Sequence, residues 1–346
     1  MSTVLYLGTG EGVVTLVRDR AGSWELKNQG LKGWAVQEVA VVPGAPNKLL
    51  AATRGDGVWS SENFGATWKK PCYGSRGPGK VQCLAFDPET PDRVYAGCEP
   101  IDIFVSDDLG AHWERLDSVW DIPSVASIDY PLPTVEPHVR DITIDPKDPS
   151  TIYAALQVGS ILKSTDRGAS WKLIEKGFDS DVHTIVVDPT RTDTVLIATG
   201  GHEARRERSP GRALYKSDDG GGSWMAVGME FSQEYSVPLA MHPRNPKVLF
   251  SALADGNPGQ WRRPSGADSV MIRTIDGGSS WQRLTKGLDG LGAYFPAAFA
   301  FDEAHPDHLY SALNTGKLLA SKDNGDSWTA VNVNLPGVSD MKCVCT

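Results

Sequence analysis

Ser164-Thr165-Asp166-Arg167-Gly168-Ala169-Ser170-Trp171 decides the reading of this chain, because the same pattern is written six times. Ser/Thr-x-Asp-x-Gly-x-x-Trp recurs at Ser106 to Trp113, Ser217 to Trp224, Thr274 to Trp281 and Ser321 to Trp328, and at Ser61 to Trp68 with Asn63 in the Asp place. A degenerate seventh copy runs from Asp19 to Trp24, with Ala21 where the Gly belongs. The tryptophans Trp24, Trp68, Trp113, Trp171, Trp224, Trp281 and Trp328 therefore return every 44 to 58 residues, a period that fits one four-stranded propeller blade with variable loops. An Asp in a tight turn accepts hydrogen bonds from N–H groups that a hairpin leaves unpaired. Gly supplies positive φ at little steric cost, and Trp gives a thin sheet a large apolar body to bury. One carboxylate per turn, without further acidic ligands at fixed spacing, is a turn element rather than a calcium loop or a catalytic array.

A second element precedes each box: an alternating strand, a turn usually carrying Pro, and a strand ending in small residues. It reads VQCLAFDPETPDRVYAG from Val81, VRDITIDPKDPSTIYAA from Val139 and VHTIVVDPTRTDTVLIA from Val182, with further copies at Val36, Ser236 and Pro296. Alternation of period two means strand, and no stretch carries a convincing helical period. The first unit, from Val4, lacks its first strand, while GVSDMKCVCT at the end resembles a first strand with nothing after it. The expectation is an all-β, single seven-bladed β-propeller over residues 1–346, closed by the C-terminal strand pairing into the first blade, which removes a free edge.

Composition is that of an ordinary globular protein, with 40% hydrophobic and 22% charged residues. The net charge of −9 argues against a general nucleic-acid binder. Neither a secretion signal nor an 18-residue apolar run is present, so membrane partners are not expected and a cytoplasmic location is. Five sparse cysteines suit a reduced compartment. Cys343 and Cys345, two apart on a strand, share a face that could suit a metal but read first as small buried hydrophobes.

The boxes and their spacing resemble the BNR/Asp-box superfamily over essentially the whole chain. That superfamily includes sialidases, xyloglucanases, sortilin-type receptors and photosystem II stability/assembly factors, as well as bacterial repeat proteins labelled sialidase-like or glycosyl hydrolase-like. The resemblance implies the propeller fold and a glycan-directed habit. It transfers no catalytic residue: no Arg-Ile-Pro signature stands near the N-terminus, and an arginine triad and Tyr/Glu pair cannot be placed by motif. Xyloglucanases of this type use two tandem propellers where this chain has one, and the assembly factors usually carry an export signal or lipoprotein segment.

In a propeller, loops carry function on a rigid scaffold. Four long ones stand out: Leu116 to Val139 with Trp120 and Tyr130, Gly200 to Ala213 with His202, Glu203 and Arg205, Asp255 to Asp268 with Trp261 and Arg262, and Leu288 to Pro296. Beneath them the starts of the first strands present Glu38, Gln82, His138, Arg140, Asp141, Asp181, His183, Tyr235 and Asp340. Arginines with aromatics beside carboxylates and histidines suit a sugar-like or anionic ligand. On that reading Trp261 or Trp120 stacks a sugar, and Asp141 and Glu203 are the candidate carboxylate pair for hydrolysis. The bland alternative makes Arg140 and Asp141 a structural pair or cap and lets the histidines hydrogen-bond between blades. Two other functions compete: a noncatalytic platform whose Arg-rich loop grips an acidic protein segment, and a metal-dependent enzyme or lyase on His138, His183 and His202. No motif implies a cofactor or a metal.

Overall fold

The computed structural model describes residues 2–19, 22–70, 72–73, 77–130, 135–201 and 213–346. It is an all-β propeller of seven blades, six sheets of four strands and one of three. Helix among the described residues is confined to short 3-10 turns at Asp117–Asp121, Val125–Ser127 and Leu291–Ala293, and no helix is long and apolar enough to cross a membrane.

The chain falls into two compact units. In Gly55–Gly57 with Pro71–Leu239, the third blade is Lys80–Phe86, Val94–Glu99, Asp102–Ser106 and Glu114–Arg115. The fourth is Val139–Ile144, Ile152–Leu156, Ser160–Ser164 and Lys172–Ile174. The fifth is Val182–Val187, Val195–Thr199, Leu214–Ser217 and Met225–Val227. In Met1–Arg54, Val58–Lys70 and Ala240–Thr346, the first blade is ordered Val338–Cys345, Thr3–Thr9, Gly12–Arg18, Trp24–Gly30. The C-terminal strand thus closes the ring as the sequence predicts, with Leu5 opposite Cys343 and Thr3 opposite Cys345. The seventh blade is Pro296–Phe301, Leu309–Leu313, Leu318–Ser321 and Thr329–Val331. The sixth sheet begins with Tyr235–Met241 and continues through Leu249–Ala254, Val270–Thr274 and Gln282–Leu284. Among the described residues the second blade has three strands, Val36–Val41, Leu49–Thr53 and Val58–Ser61, and a bridge from Ser60 to Lys69 stands in the place of a fourth. The sequence Lys70-Pro71 follows at once, and proline has no N–H with which to extend a ladder.

Second strands such as Leu49–Thr53, Ile152–Leu156 and Val195–Thr199 are buried at every residue, which is why they read as continuous apolar runs rather than alternating ones. Core lies between neighbouring sheets. Tyr95, Ile103, Val139 and Leu162 join the third and fourth blades, and Leu5, Leu16, Tyr310 and Leu318 join the seventh and first.

The box is a self-contained hydrogen-bonded turn. Its Ser or Thr hydroxyl oxygen accepts the Gly N–H at 2.8–3.0 Å in all six copies, and its Asp or Asn Oδ1 accepts the N–H four residues on at 2.8–2.9 Å. The degenerate copy keeps the second bond, Ser23 N–H to Asp19 Oδ1 at 2.8 Å. Residue four takes positive φ as well as the Gly: Phe64 at 59°, Leu109 at 57°, Arg167 at 59° and Asn324 at 53°. For a non-glycine residue this costs on the order of 1 kcal/mol, and the return is up to two bonds across the structure. Its N–H reaches a carbonyl in the first turn of its own blade in all six copies, as Arg167 to Ser150 at 2.9 Å and Asn324 to Asp307 at 2.8 Å. In four copies, at Phe64, Arg167, Gly220 and Asn324, its carbonyl accepts a donor from the preceding blade. Thr15 Oγ1 donates to Phe64 O at 2.9 Å, Tyr153 Oη and Lys163 Nζ donate to Gly220 O at 3.2 and 2.8 Å, and Arg273 donates to Asn324 O at 2.5 Å.

Because Ser164 Oγ caps the buried Gly168 N–H, Ser164→Ala should lower stability by about 1–3 kcal/mol in urea melts. Ser164→Thr, the residue that Thr274 supplies in another box, should cost far less. The Ser280 hydroxyl, helped by backbone N–H groups, holds the Asp276 carboxyl down to about 2. A depressed carboxyl stabilises the fold above its unfolded value, roughly 4, and loses that contribution as pH falls from there through about 2. The stability deficit of Asp276→Ala relative to wild type should therefore shrink across that window. Asp276→Asn, which retains the acceptor as Asn63 does, should show the smaller deficit at neutral pH.

Candidate functional site

The starts of the third, fourth and fifth blades' first strands bring a polar cluster together within one unit. Gln82 and Glu99 are both buried, and Gln82 Nε2 donates to Glu99 Oε2 at 2.7 Å. Lys80 Nζ bridges Glu99 and Glu136, at 3.5 and 3.3 Å. His138 is buried, its Nδ1 lies 2.8 Å from Glu136 O, and its ring stacks on Tyr130 at 6.1 Å. Gln157 hydrogen-bonds both His138 and the Tyr130 hydroxyl, the latter at 3.0 Å. Burial holds the His138 pKa below its ordinary value, with the Arg140 charge acting in the same direction, so the ring is neutral near pH 7 with its proton on Nδ1 toward Glu136 O. Arg140 is half-buried and has no hydrogen-bond or ion-pair partner among the described residues.

Next along lie Asp181, His183 and Tyr235, all buried. His183 Nδ1 donates to Ser236 O at 2.6 Å, its Nε2 stands 3.3 Å from Asp181 Oδ1, and its ring is tilted against Tyr235 at 5.1 Å. Gly200 N–H donates to the Asp181 backbone carbonyl at 2.7 Å. A side chain on Gly200 would strike the Asp181 carboxylate, since a Cβ there would lie 1.9 Å from Oδ2. Both described histidines of the sequence-proposed metal set thus hold backbone carbonyls. The third, His202, lies outside the described residues, as do Glu203 and Arg205.

Asp141 holds strands together. Its Oδ2 accepts the Ile185 N–H of the next blade at 2.8 Å, as Asp340 Oδ2 accepts the Val39 N–H at 2.9 Å. In the other unit Glu38 and Asp340 share Lys342 Nζ, at 2.8 and 2.9 Å, and their charges raise the Lys342 pKa well above the usual amine range despite burial. Trp120 is 39% exposed, with its Nε1 donating to Asp102 Oδ1 at 2.9 Å and Arg115 over its ring at 5.8 Å. In the unit that holds Glu38, Trp261 packs on Phe295 with ring centres 4.6 Å apart, its Nε1 directed at the Asp255 and Gly256 carbonyls, beside exposed Arg262. A cleft of ≈ 380 Å³ opens in that unit among Arg18, Trp24, Tyr310, Ser321, Lys322 and Thr329, and none of the site residues named from the sequence lines it.

Sequence reading missed Lys80, Glu99 and Gln157. Glu99 carries the one usable signal, a carboxylate ending VYAGCE, a second strand whose six residues are all buried.

Comparison with known proteins yields relatives of the same fold. The family profile of Sortilin, neurotensin receptor 3, matches residues 159–289, less than half of the chain. A probable oligoxyloglucan-reducing end-specific xyloglucanase of Neosartorya fischeri is 25% identical over 309 residues, covering 79% of this chain. The chain spans only 35% of that enzyme's length. Among solved structures, an ancestral GH74 enzyme superposes with a TM-score of 0.64 at 17% identity, over 98% of this chain and 39% of that one. YCF48 bound to D1 peptide superposes with a TM-score of 0.57 at 15% identity, over 85% of this chain and 80% of that one. The likeness read from the boxes to the BNR-like propeller superfamily holds at the level of fold.

Asp141→Asn keeps an oxygen for the Ile185 N–H and should leave the urea midpoint near that of wild type. Asp141→Ala leaves that buried N–H unmet and should cost about 1–3 kcal/mol. Equal losses in the two variants would mean that the negative charge, rather than the acceptor, is what this position requires.

Proposed function

We propose that the chain is a glycan-binding propeller whose ligand seats on the cluster of Tyr130, His138 and Arg140, with Lys80 and Glu99 at its floor. The observation that carries this reading is Arg140, a half-buried guanidinium with no partner among the described residues. Other residues at the same strand position are committed: Gln82 donates to the Glu99 carboxylate, and two more bond backbone. His183 reaches Ser236 O at 2.6 Å and Ser339 reaches Val36 O at 2.5 Å. A planar five-donor group in such a place suits a carboxylate or a cluster of sugar hydroxyls. Neighbouring Tyr130 and the Gln82–Glu99 pair add donors and acceptors of the kind sugar hydroxyls use. Trp120 offers an exposed indole for stacking a ring, and half-buried Trp261 beside exposed Arg262 is a second such surface on its own unit.

Likeness to a xyloglucanase over 79% of the chain supports a glycan as the ligand class. The reading stops at binding: Asp141 commits one carboxylate oxygen to the Ile185 N–H, which suits a positioning residue better than a nucleophile. A second reading, a noncatalytic platform for a protein segment, draws support from the solved neighbour bound to a peptide.

Calorimetric titration with neutral xyloglucan oligosaccharides, uronic acid-containing oligosaccharides and an acidic peptide separates the two. An oligosaccharide should bind the wild type, and Arg140→Ala should weaken it about tenfold or more, the loss of one charge-assisted contact, without moving the melting temperature. Binding of the peptide alone, weakened by the same substitution, would replace the glycan with a protein partner.

A further inference from the structure

We propose that the first turn of the seventh blade is a binding site for a zinc-class divalent cation, held by Asp302, His305 and His308. Ligand atoms of these three side chains all lie within 4.8 Å of one another. Asp302 Oδ2 and His305 Nδ1 are 3.3 Å apart, about the separation of two ligands at 2.0–2.1 Å around a tetrahedral ion. The two imidazoles stack at 5.2 Å with 21° between their planes. His308 Nδ1 is shut off from solvent and has no hydrogen-bond partner among the described residues.

The turn itself does not need these histidines. Asp302 Oδ1 accepts the Ala304 and His305 N–H groups at 3.0 and 3.2 Å, as Asp87 Oδ1 accepts those of Glu89 and Thr90 at 2.9 and 3.0 Å. The backbone bond from His308 to His305 O at 2.7 Å matches that from Arg93 to Thr90 O at 2.8 Å. The places of His305 and His308 are filled by Thr90 and Arg93 in the third blade and by Asp148 and Thr151 in the fourth. The same fold is built there without imidazole, so the pair in the seventh blade is surplus to the turn.

Support around the carboxylate is of the kind that orients metal ligands. Thr3 Oγ1 donates to Asp302 Oδ2 at 3.2 Å, and the Cys345 thiol donates to Oδ1 at 2.9 Å. His305 is exposed, which gives the ion an entry path and leaves its fourth position to water. Arg18 and Lys322 also act on His308, so the local field does not attract a hard dication by charge alone. Two imidazole nitrogens and one carboxylate favour zinc or cobalt over magnesium or calcium, which prefer oxygen ligands.

The test is calorimetric titration of the untagged full chain with Zn²⁺ after dialysis against EDTA, repeated for His305→Thr and His308→Thr, and paired with the visible absorption of Co²⁺. The two substitutions install residue types that other blades use at these places, and melting temperatures in EDTA should match wild type. The expected result is one equivalent of Zn²⁺, undisturbed by excess Mg²⁺, a Co²⁺ spectrum of tetrahedral type, and at least tenfold weaker binding in each variant. No stoichiometric binding, or binding unchanged in both variants, would overturn the site. Displacement by Mg²⁺ would overturn the metal class.

Discussion

The structure depends on one hydroxyl oxygen in each of six blades. In each box the Ser or Thr side chain accepts the N–H of a Gly at positive φ, and that bond lets the residue before it stand in the left-handed region too. From there the backbone of a single residue serves both within and between blades. Its N–H anchors the box to the first turn of its own sheet, and in four boxes its carbonyl takes the donor sent by the sheet before it. Hydrophobic burial between sheets supplies most of the driving force but is non-directional. Where they occur, these paired bonds fix the register at which one sheet meets the next.

Much of this was legible in the sequence because the box is written in residue types with few other uses at that spacing. Strand starts at Val36, Val139, Val182 and Pro296 fall where the repeats put them, and the closing pair of Thr3–Thr9 with Val338–Cys345 follows from a missing first strand at one end and a spare one at the other. Positive φ at Phe64, Leu109 and Arg167 was not legible, since residue four varies freely: what matters there is its backbone N–H and carbonyl, which any residue but proline supplies. The three-stranded second blade was equally hidden, its box being intact while the strand after it is cut short.

The candidate site was legible only in part, for a related reason. A polar residue at the start of a first strand has two possible employments, and sequence does not separate them. Asp141 and Asp340 bond a backbone N–H of the following blade, and His183 and Ser339 bond a carbonyl. Arg140 stands among them without such an obligation. Glu99 and Lys80 escaped notice because they come together across a strand pair, Lys80 opposite Glu99, and neither belongs to a long loop.

Seven copies of one design in a single chain provide their own control. A residue type that recurs at its place across blades is accounted for by the blade, whatever chemistry it is capable of; the box carboxylates are the clear case, each held by its own turn. A residue that departs from the repeat while the backbone around it stays the same cannot be explained by the backbone. Arg140 departs in this way from His183 and Ser339, and His305 and His308 depart from Thr90 and Arg93. Desolvating a guanidinium or an imidazole nitrogen without a partner costs free energy, and the neighbouring blades show that folding does not require it. That uncompensated cost, rather than the reactivity of any one side chain, is the physical ground for looking for ligands at these two places.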